Sequence, residues 1–191
     1  MKNYINKFLI LLLIVFIYPI KSFGLIEVDI TRGNLNPLPV AVSPLSIDEK
    51  SRKSFENLIN KKNIGEEISS IVENNLKTSG LFNPLSKDAF LQAPDIANLK
   101  PRFEDWNLIK AQALITGKVT NIDNKLRVEF RLWDVLAGKE MMALAFTTVP
   151  TNWRRVGHII SDKVYERLTG EKGYFDTRII YVAEEGPKTQ R

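Results

Sequence analysis

A strictly alternating run between residues 126 and 133 constrains the fold more than any other part of the sequence. Its positions divide between the two faces of an extended chain: Leu126, Val128, Phe130 and Leu132 against Arg127, Glu129, Arg131 and Trp133. A period of two is typical of a β-strand that buries one face. Residues 113–119 and 141–149 predict two further strands, and turn-forming residues at 121–124 and 137–139 separate the three. The sequence therefore predicts a three-stranded antiparallel meander.

Two segments carry apolar residues at helical spacing and predict the main helices. The first covers residues 64–79, with Asn63 and Glu66 in the positions of a capping box and Gly80 as its end. The second covers residues 153–169. Its apolar stripe comprises Trp153, Val156, Ile160, Val164 and Leu168. With the meander, these segments predict an α+β fold in which two main helices pack on one face of a mixed or antiparallel sheet.

The remaining segments have weaker patterns. Residues 38–42 predict a short strand, and Pro37 and Pro39 favour an edge position because proline has no N–H to donate to a ladder. Residues 48–62 are polar and leave a loop and an irregular helix as alternatives. Elsewhere we expect a surface loop at residues 93–102, a short helix at 106–112 that buries Phe103, Trp106 and Ile109, and a last strand at 177–183.

The first 24 residues have the layout of a secretory signal peptide. Lys2 and Lys7 precede an unbroken apolar run at residues 8–18, Pro19 ends that run, and small residues precede the expected cleavage after Gly24. The alternative is a membrane anchor, but a spanning helix needs roughly 20 apolar residues, and this run is shorter. We therefore expect export and cleavage, with no membrane span in the remaining chain.

Cysteine content and charge exclude several functional classes. The chain has no cysteine, which excludes a disulfide scaffold, a thiolate zinc site and a cysteine nucleophile. Its formal net charge is +5, but three of its 27 basic residues and none of its 22 acidic ones lie in the first 24. The remaining chain, with 24 basic residues against 22 acidic ones, is nearly balanced. A balanced charge does not favour nucleic acid as a partner.

The sequence contains no motif for catalysis, a metal, a cofactor or a small-molecule substrate. His158 is the only histidine, and it shares the polar side of the second helix with Arg154, Asp162 and Tyr165. This pattern favours a solvated helix residue over a general base or metal ligand. Two alternatives to an interaction protein stay open. An envelope hydrolase would need a pocket that holds His158 with an acid and a nucleophile. A polyanion binder would need four arginines on one exposed face: Arg127, Arg131, Arg154 and Arg155.

The segment that follows the leader is the candidate binding site. Its residues alternate between apolar and polar, so an N-terminus freed by cleavage could add as a strand to the sheet edge of a partner. Backbone hydrogen bonds would provide affinity, and Ile26, Val28 and Ile30 would fill alternate pockets. The alternative is that this strand pairs only within its own sheet. The predicted partner-binding residues are Leu25, Ile26, Glu27, Val28, Asp29, Ile30, Thr31 and Arg32.

Several stretches of the sequence resemble the TolB family in its alphaproteobacterial form. They are VDITRGN at 28–34 with PLP at 37–39, LRVEFRLWDV at 126–135, NWRRVGHII at 152–160 and YERLTGEKGYFDTR at 165–178. The resemblance extends from residue 25 to about residue 187, in the family's order. It implies the family's N-terminal α+β domain at residues 25–172. It also implies a linker and the first strand of a β-propeller at 173–191, with most of that propeller lacking.

The resemblance also implies a location and partners. TolB-like proteins are periplasmic parts of the Tol-Pal system, which supports outer-membrane integrity, cell division and protein import. In the family, the N-terminus of the mature protein binds the C-terminal domain of TolA or instead folds back on the protein, and the matching positions here are residues 25–32. The family binds Pal through its propeller, so the resemblance assigns Pal to no residue of this chain. It implies no enzymatic activity, no cofactor and no nucleic-acid partner.

Overall fold

A computed structural model of the chain describes residues 36–177. The predicted leader, the predicted binding strand and all but the first residue of the predicted last strand lie outside these residues. The helices and strands follow in this order: β1 (Leu38–Val42), β2 (Ser46–Ile47), α1 (Glu49–Ile59), α2 (Ile64–Thr78), β3 (Phe82–Pro84), α3 (Pro94–Leu99), α4 (Phe103–Leu108), β4 (Ala113–Ile122), β5 (Lys125–Asp134), β6 (Lys139–Thr148) and α5 (Trp153–Thr169). Single 3₁₀ turns occur at Lys87–Ala89 and Pro150–Asn152.

The strands form one open mixed sheet in the order β3–β1–β4–β5–β6, and β2 pairs with β4. β1 runs parallel to β3 and β4, whereas β4, β5 and β6 form an antiparallel meander. Asp123 and Asn124, at φ +49° and +59°, form the two-residue turn between β4 and β5. The predicted α+β class, the mixed sheet and the meander are therefore confirmed.

Three helices cover one face of the sheet. Every residue of the predicted stripe on α5 is buried, and α2 buries its own stripe against the same strands. α1 adds Phe55 to this core. The alternating positions of β5 complete it: Leu126, Val128, Phe130 and Leu132, none more than 1% exposed. The two predicted main helices thus pack on one face as expected, and α1 joins them.

Two short helices cover the other face. Trp106 of α4 is 1% exposed and packs in a second cluster with Ala97 of α3 and Leu114 of β4. Phe90 meets the Trp106 ring edge-on, with 5.0 Å between centroids. The sheet is therefore covered on both faces, with the larger core beneath α1, α2 and α5.

The sequence predicted this second face poorly. A surface loop was expected where α3 lies, but Pro94 begins a helix there, at a position where its missing N–H removes no hydrogen bond. The short helix predicted at residues 106–112 is α4, which begins and ends earlier. Trp106 is buried as predicted, whereas Phe103 and Ile109 are half-buried.

β1 lies inside the sheet, so the edge position predicted from its prolines is wrong. The ladder between β1 and β4 begins at Val40 and Ala113, one residue after Pro39. Alternate residues of a parallel strand bond to opposite neighbours, and Leu38 donates its N–H to Leu81 on the β3 side, at 2.9 Å. The nitrogen of Pro39, which carries no hydrogen, therefore faces β4 at a position before that ladder begins. No ladder hydrogen bond is lost there, so the interior strand tolerates the proline.

α1 settles the alternatives left for residues 48–62 in favour of a helix. The carboxylate of Asp48 caps it by accepting the backbone N–H and the Oγ–H of Ser51, each at 2.9 Å. Asn60 ends it in the left-handed conformation, at φ +54°. The capping box predicted for α2 is wrong, because the side-chain oxygen of Asn63 instead accepts a hydrogen bond from Arg52 at 3.1 Å.

We expect Asp48→Ala to lower the free energy of unfolding by about 1 kcal/mol through loss of the N-cap. The Ser51 N–H is the main cause that holds the pKa of Asp48 below its ordinary value. The folded-state pKa is thus lower than the unfolded one, so this stabilisation is present at neutral pH and disappears as the pH falls through the folded pKa. Urea unfolding across that range measures it. Asp48→Asn, which caps without titrating, is the control. A difference between wild type and Asp48→Ala that persists in acid would contradict the assignment.

Candidate protein-interaction surfaces

The described part of the chain fixes where the predicted binding segment joins the domain. Residues 25–32 lie outside it, so their arrangement is not described. Asn36 and Pro37 are exposed, and the chain enters the sheet at Leu38. Arg32 is six residues before Leu38, which limits its distance from the start of β1 to about 20 Å.

The two edges of the described sheet differ in how they are protected. β3 has three residues and ends with Pro84, so it offers little backbone for pairing. β6 has ten residues and pairs with β5 on its inner side. Within residues 36–177, no strand pairs with its outer side. β6 is therefore the edge with room for another strand.

The side chains of β6 divide into an apolar row and a row of small residues. Met142, Leu144 and Phe146 lie opposite core residues of β5, and Phe146 stacks on Phe130 at 6.1 Å between centroids. Leu144 remains 37% exposed. On the other face, Ala143 and Ala145 are exposed and lie opposite Arg131 and Glu129 of β5. From Met141 to Val149 the sequence carries no charge.

The row of small residues leaves a shallow depression beside charged residues of β5. The depression has a volume of about 200 Å³ and is lined by Arg127, Glu129, Phe130, Arg131, Ala143, Leu144 and Ala145. Arg127 lies 2.8 Å from Glu129, and Arg131 lies 3.2 Å from Glu140. The arginine side chains keep 36% and 37% exposure. Arg131 also donates to the backbone carbonyl and the side-chain oxygen of Asn98, at 3.3 and 3.4 Å, so both arginines already have partners within the domain.

The four arginines required by a polyanion binder do not lie on one face. Arg127 and Arg131 belong to the β5 face that points away from α5, whereas Arg154 and Arg155 lie on α5, on the opposite side of the sheet. Arg155 pairs with Asp176 at 3.1 Å, and Arg154 stacks on Trp153. The geometry thus fails the requirement that this alternative set.

His158 connects two helices. Its Nδ1 lies 2.9 Å from the side-chain amide nitrogen of Asn75, which also donates to Ser161 at 2.9 Å. Since an amide nitrogen donates, Nδ1 is the acceptor in this contact. His158 is half-buried rather than solvated as expected, and it meets an amide of α2 where a hydrolase would need an acid. Within residues 36–177 no group of three or more histidine, aspartate or glutamate side chains could hold a metal ion.

Asp162 and Tyr165, which were both predicted on the polar side of α5, contact the chain that follows this helix. Asp162 accepts the backbone N–H groups of Phe175 and Asp176, at 2.6 and 3.1 Å. Tyr165 is 7% exposed and contacts the rings of Phe175 and Tyr174. Burial, with the nearby charges of Tyr174 and Glu171, raises the pKa of its phenol. Tyr165 is therefore a core residue, which corrects its placement on a solvated face.

These surfaces belong to an α+β domain with an open mixed sheet, a long edge strand whose outer side pairs with no other described strand, and a chain entry at β1. The TolB amino-terminal domain family matches residues 26–141. The chain belongs to this family. The family is not described as one of enzymes, in agreement with the prediction that the chain is non-enzymatic. Among the helices that the structure describes, none combines the length and apolarity needed to cross a membrane.

A relative agrees with this membership, and a solved structure agrees with the fold. The "Tol-Pal system protein TolB" of Pelagibacter ubique (strain HTCC1062) is 79% identical over 181 residues, covering 95% of this chain and 41% of the relative. The chain thus spans about two fifths of that relative's length. A crystal structure of TolB from Acinetobacter baumannii superimposes with a TM-score of 0.58 at 23% identity, covering 73% of this chain and 30% of that one. This second likeness concerns the fold alone.

Proposed function

We propose that the chain is a periplasmic component of the Tol-Pal system that binds the C-terminal domain of TolA through residues 25–32. The observation that carries this proposal is the 79% identity, over nearly the whole chain, to a relative named as a Tol-Pal system protein. The wider role is support of outer-membrane integrity, cell division and protein import. Export by cleavage of the first 24 residues belongs to the same proposal.

Strand addition is the mechanism that the sequence of this segment favours. Ile26, Val28 and Ile30 alternate with polar residues, so an added strand would turn one apolar row towards the partner. The connection to β1 contains Gly33, and its last residues, Asn36 and Pro37, are exposed. The segment can therefore reach a partner without a change in the described sheet. Pal receives no residue in this proposal.

Calorimetric titration of the exported chain with the C-terminal domain of TolA from the same cell tests the proposal. Deletion of residues 25–32 should abolish measurable binding, because the backbone donors and acceptors of the strand are lost with its side chains. A triple variant, Ile26→Ser, Val28→Ser and Ile30→Ser, should weaken binding by at least about 100-fold, as expected when interface anchors are truncated.

The matched control changes the other row of the same strand. Glu27→Gln with Asp29→Asn preserves the backbone and the apolar row, so it should change affinity by less than about tenfold. Melting temperatures of all variants check that the fold of the described domain is retained. Equal binding by the deletion variant and the parent would reject strand capture for this chain.

A further inference from the structure

We infer that the exit segment, residues 170–176, is a latch that holds the outgoing chain along the outer face of α5. It thereby fixes the place and the direction in which Thr177 and the residues after it leave the domain. This role goes beyond the proposed function, which concerns residues 25–32, and it is independent of that function. It also gives a purpose to the stretch YERLTGEKGYFDTR at 165–178, which TolA binding leaves without one.

Two glycines allow the chain to turn back onto α5. Gly170 ends the helix at φ +75°, in the left-handed conformation that favours glycine. Gly173 then lies directly on the helix, where an added Cβ would collide with the Cα of Asp162. Asp176 reaches Arg155, which lies about two helical turns before Asp162. The exit segment therefore runs back along α5 towards the N-terminal end of the helix.

Polar side chains of α5 bind the backbone and the carboxylate of the exit segment. The segment forms neither a helix nor a strand. The two carboxylate oxygens of Asp162 instead accept the backbone N–H groups of Phe175 and Asp176, at 2.6 and 3.1 Å. The Nε of Arg155 donates to both carboxylate oxygens of Asp176, at 3.2 and 3.1 Å. Hydrogen bonds that involve charged groups are stronger than neutral ones, so these contacts specify the path of the chain.

Aromatic rings hold the same residues from the side. Tyr165 is buried, and its ring meets those of Tyr174 and Phe175 edge-on, at 5.5 and 5.8 Å between centroids. Phe175 also packs against the main core. Edge-to-face pairs of this kind contribute beyond the burial of their area. The exit segment is thus attached to α5 through its backbone, a carboxylate and two rings.

The alternative is a loose connection, which would join α5 to the following residues without setting their direction. Loose segments have few packed contacts, and their backbone hydrogen-bonding groups face solvent. Asp162 and Arg155 argue against this alternative. In the part of the chain that the structure describes, the hydrogen bonds and ion pairs of both side chains all go to the exit segment. Neither side chain belongs to the core, so their contacts serve the position of the outgoing chain.

Amide hydrogen exchange of the full chain tests whether the latch is closed in solution. The amides of Phe175 and Asp176 should exchange more slowly than those of an unstructured peptide. Asp162→Ala removes their acceptor and should lower this protection at least about tenfold, because the lost acceptor is a charged carboxylate. Glu166→Ala is the matched control. Glu166 lies one turn further along α5 and pairs with Lys163, so its removal should leave the protection unchanged.

Gly173→Ala opens the latch without a change of charge. The added Cβ meets the backbone of α5, which cannot move aside as a flexible side chain can. We therefore expect the Phe175 amide to lose its protection, as in Asp162→Ala. The control is Lys172→Ala, at the exposed neighbouring residue, which should have no effect.

Reversal of the ion pair separates the latch from a general loss of fold. Arg155→Asp and Asp176→Arg each bring two like charges together, so each should reduce the protection of the Phe175 amide. The double variant restores opposite charges and should recover most of that protection. Two independent damages to the fold would add instead of cancelling.

Spin-label distances test whether the latch sets the direction of the chain. The chain has no cysteine, so Leu108→Cys and Thr177→Cys place two labels at chosen positions. Leu108 is 74% exposed on α4, and Thr177 is exposed directly after the exit segment. We expect one narrow distance distribution in this labelled parent. Addition of Asp162→Ala with Arg155→Ala should broaden it, whereas addition of Glu166→Ala should not.

Three results would overturn the inference. One is exchange of the Phe175 and Asp176 amides in the parent at the rate of an unstructured peptide. Another is a broad distance distribution in the labelled parent. A third is a distribution that stays narrow in the Asp162→Ala, Arg155→Ala variant, which would mean that other contacts set the direction. None of these readouts involves TolA, so the latch and the proposed function can fail separately.

Discussion

Phe55→Ala should lower the free energy of unfolding by about 3–5 kcal/mol, the range typical of an aromatic residue truncated in a packed core. Phe55 is fully buried and is the only large side chain that α1 buries. It belongs to the cluster that includes Phe130 and Ile160 beneath the main helices. Its removal leaves a cavity and weakens the packing of α1 on the sheet, to which Ile59 also contributes.

Urea unfolding of the parent and the variant measures this loss. Leu58→Ala, in the same helix, is the matched control: Leu58 is 45% exposed, so its truncation should change stability by no more than about 0.5 kcal/mol. If the two variants lost stability equally, α1 would not be anchored through Phe55. A loss below about 1 kcal/mol for Phe55→Ala would contradict the packing itself.

The sequence alone does not decide between a loop and a helix for α1, and the reason is physical. Between Glu49 and Ile59 the helix buries only Ser51 and Phe55, so its apolar stripe is too narrow to distinguish from a polar loop. The cap at Asp48 was the available local signal. A short polar helix depends on tertiary contacts for its stability, which a single-sequence pattern does not contain.

Segments whose apolar residues repeat at regular spacing along the whole element were predicted well. The stripe of α5 and the alternation of β5 place buried residues at every expected position. β3 has no signal in the sequence, because its three residues have no period of their own and pair in parallel with β1, which is distant in sequence. Parallel pairing has no local turn to announce it.

For the candidate surfaces too, features with a local sequence pattern were predictable and features that depend on strand order were not. The pattern of residues 25–32 is local and was readable, and the structure does not describe it. β6 was predicted as a strand, but its position at the edge depends on the strand order, which β1 and β3 determine from elsewhere in the chain. Whether the four arginines cluster was likewise undecidable from spacing, because it depends on which face each element turns outward.

A second large effect is expected at Gln92, within the region whose helix was missed. Its side-chain oxygen accepts the indole N–H of Trp106 at 3.0 Å and the backbone N–H of Arg102 at 3.1 Å. Its amide nitrogen donates to the carbonyl of Lys100 at 3.3 Å. Gln92 is 4% exposed, so water cannot readily replace it. One side chain thus connects the ends of α3 and α4 beneath the second face.

Gln92→Leu should lower the free energy of unfolding by about 2–4 kcal/mol, because it leaves the buried indole N–H of Trp106 and the partly buried backbone N–H of Arg102 without acceptors while only partly recovering apolar burial. Calorimetric melting measures the loss, and Leu91→Ala, at a neighbour that is 60% exposed, is the control, with an expected change within about 0.5 kcal/mol. Adding Trp106→Phe removes one of the stranded donors. The double variant should therefore be more stable than the sum of the single effects by about 1 kcal/mol. Strict additivity would mean that Gln92 and Trp106 act independently, and the second face would then depend on packing alone.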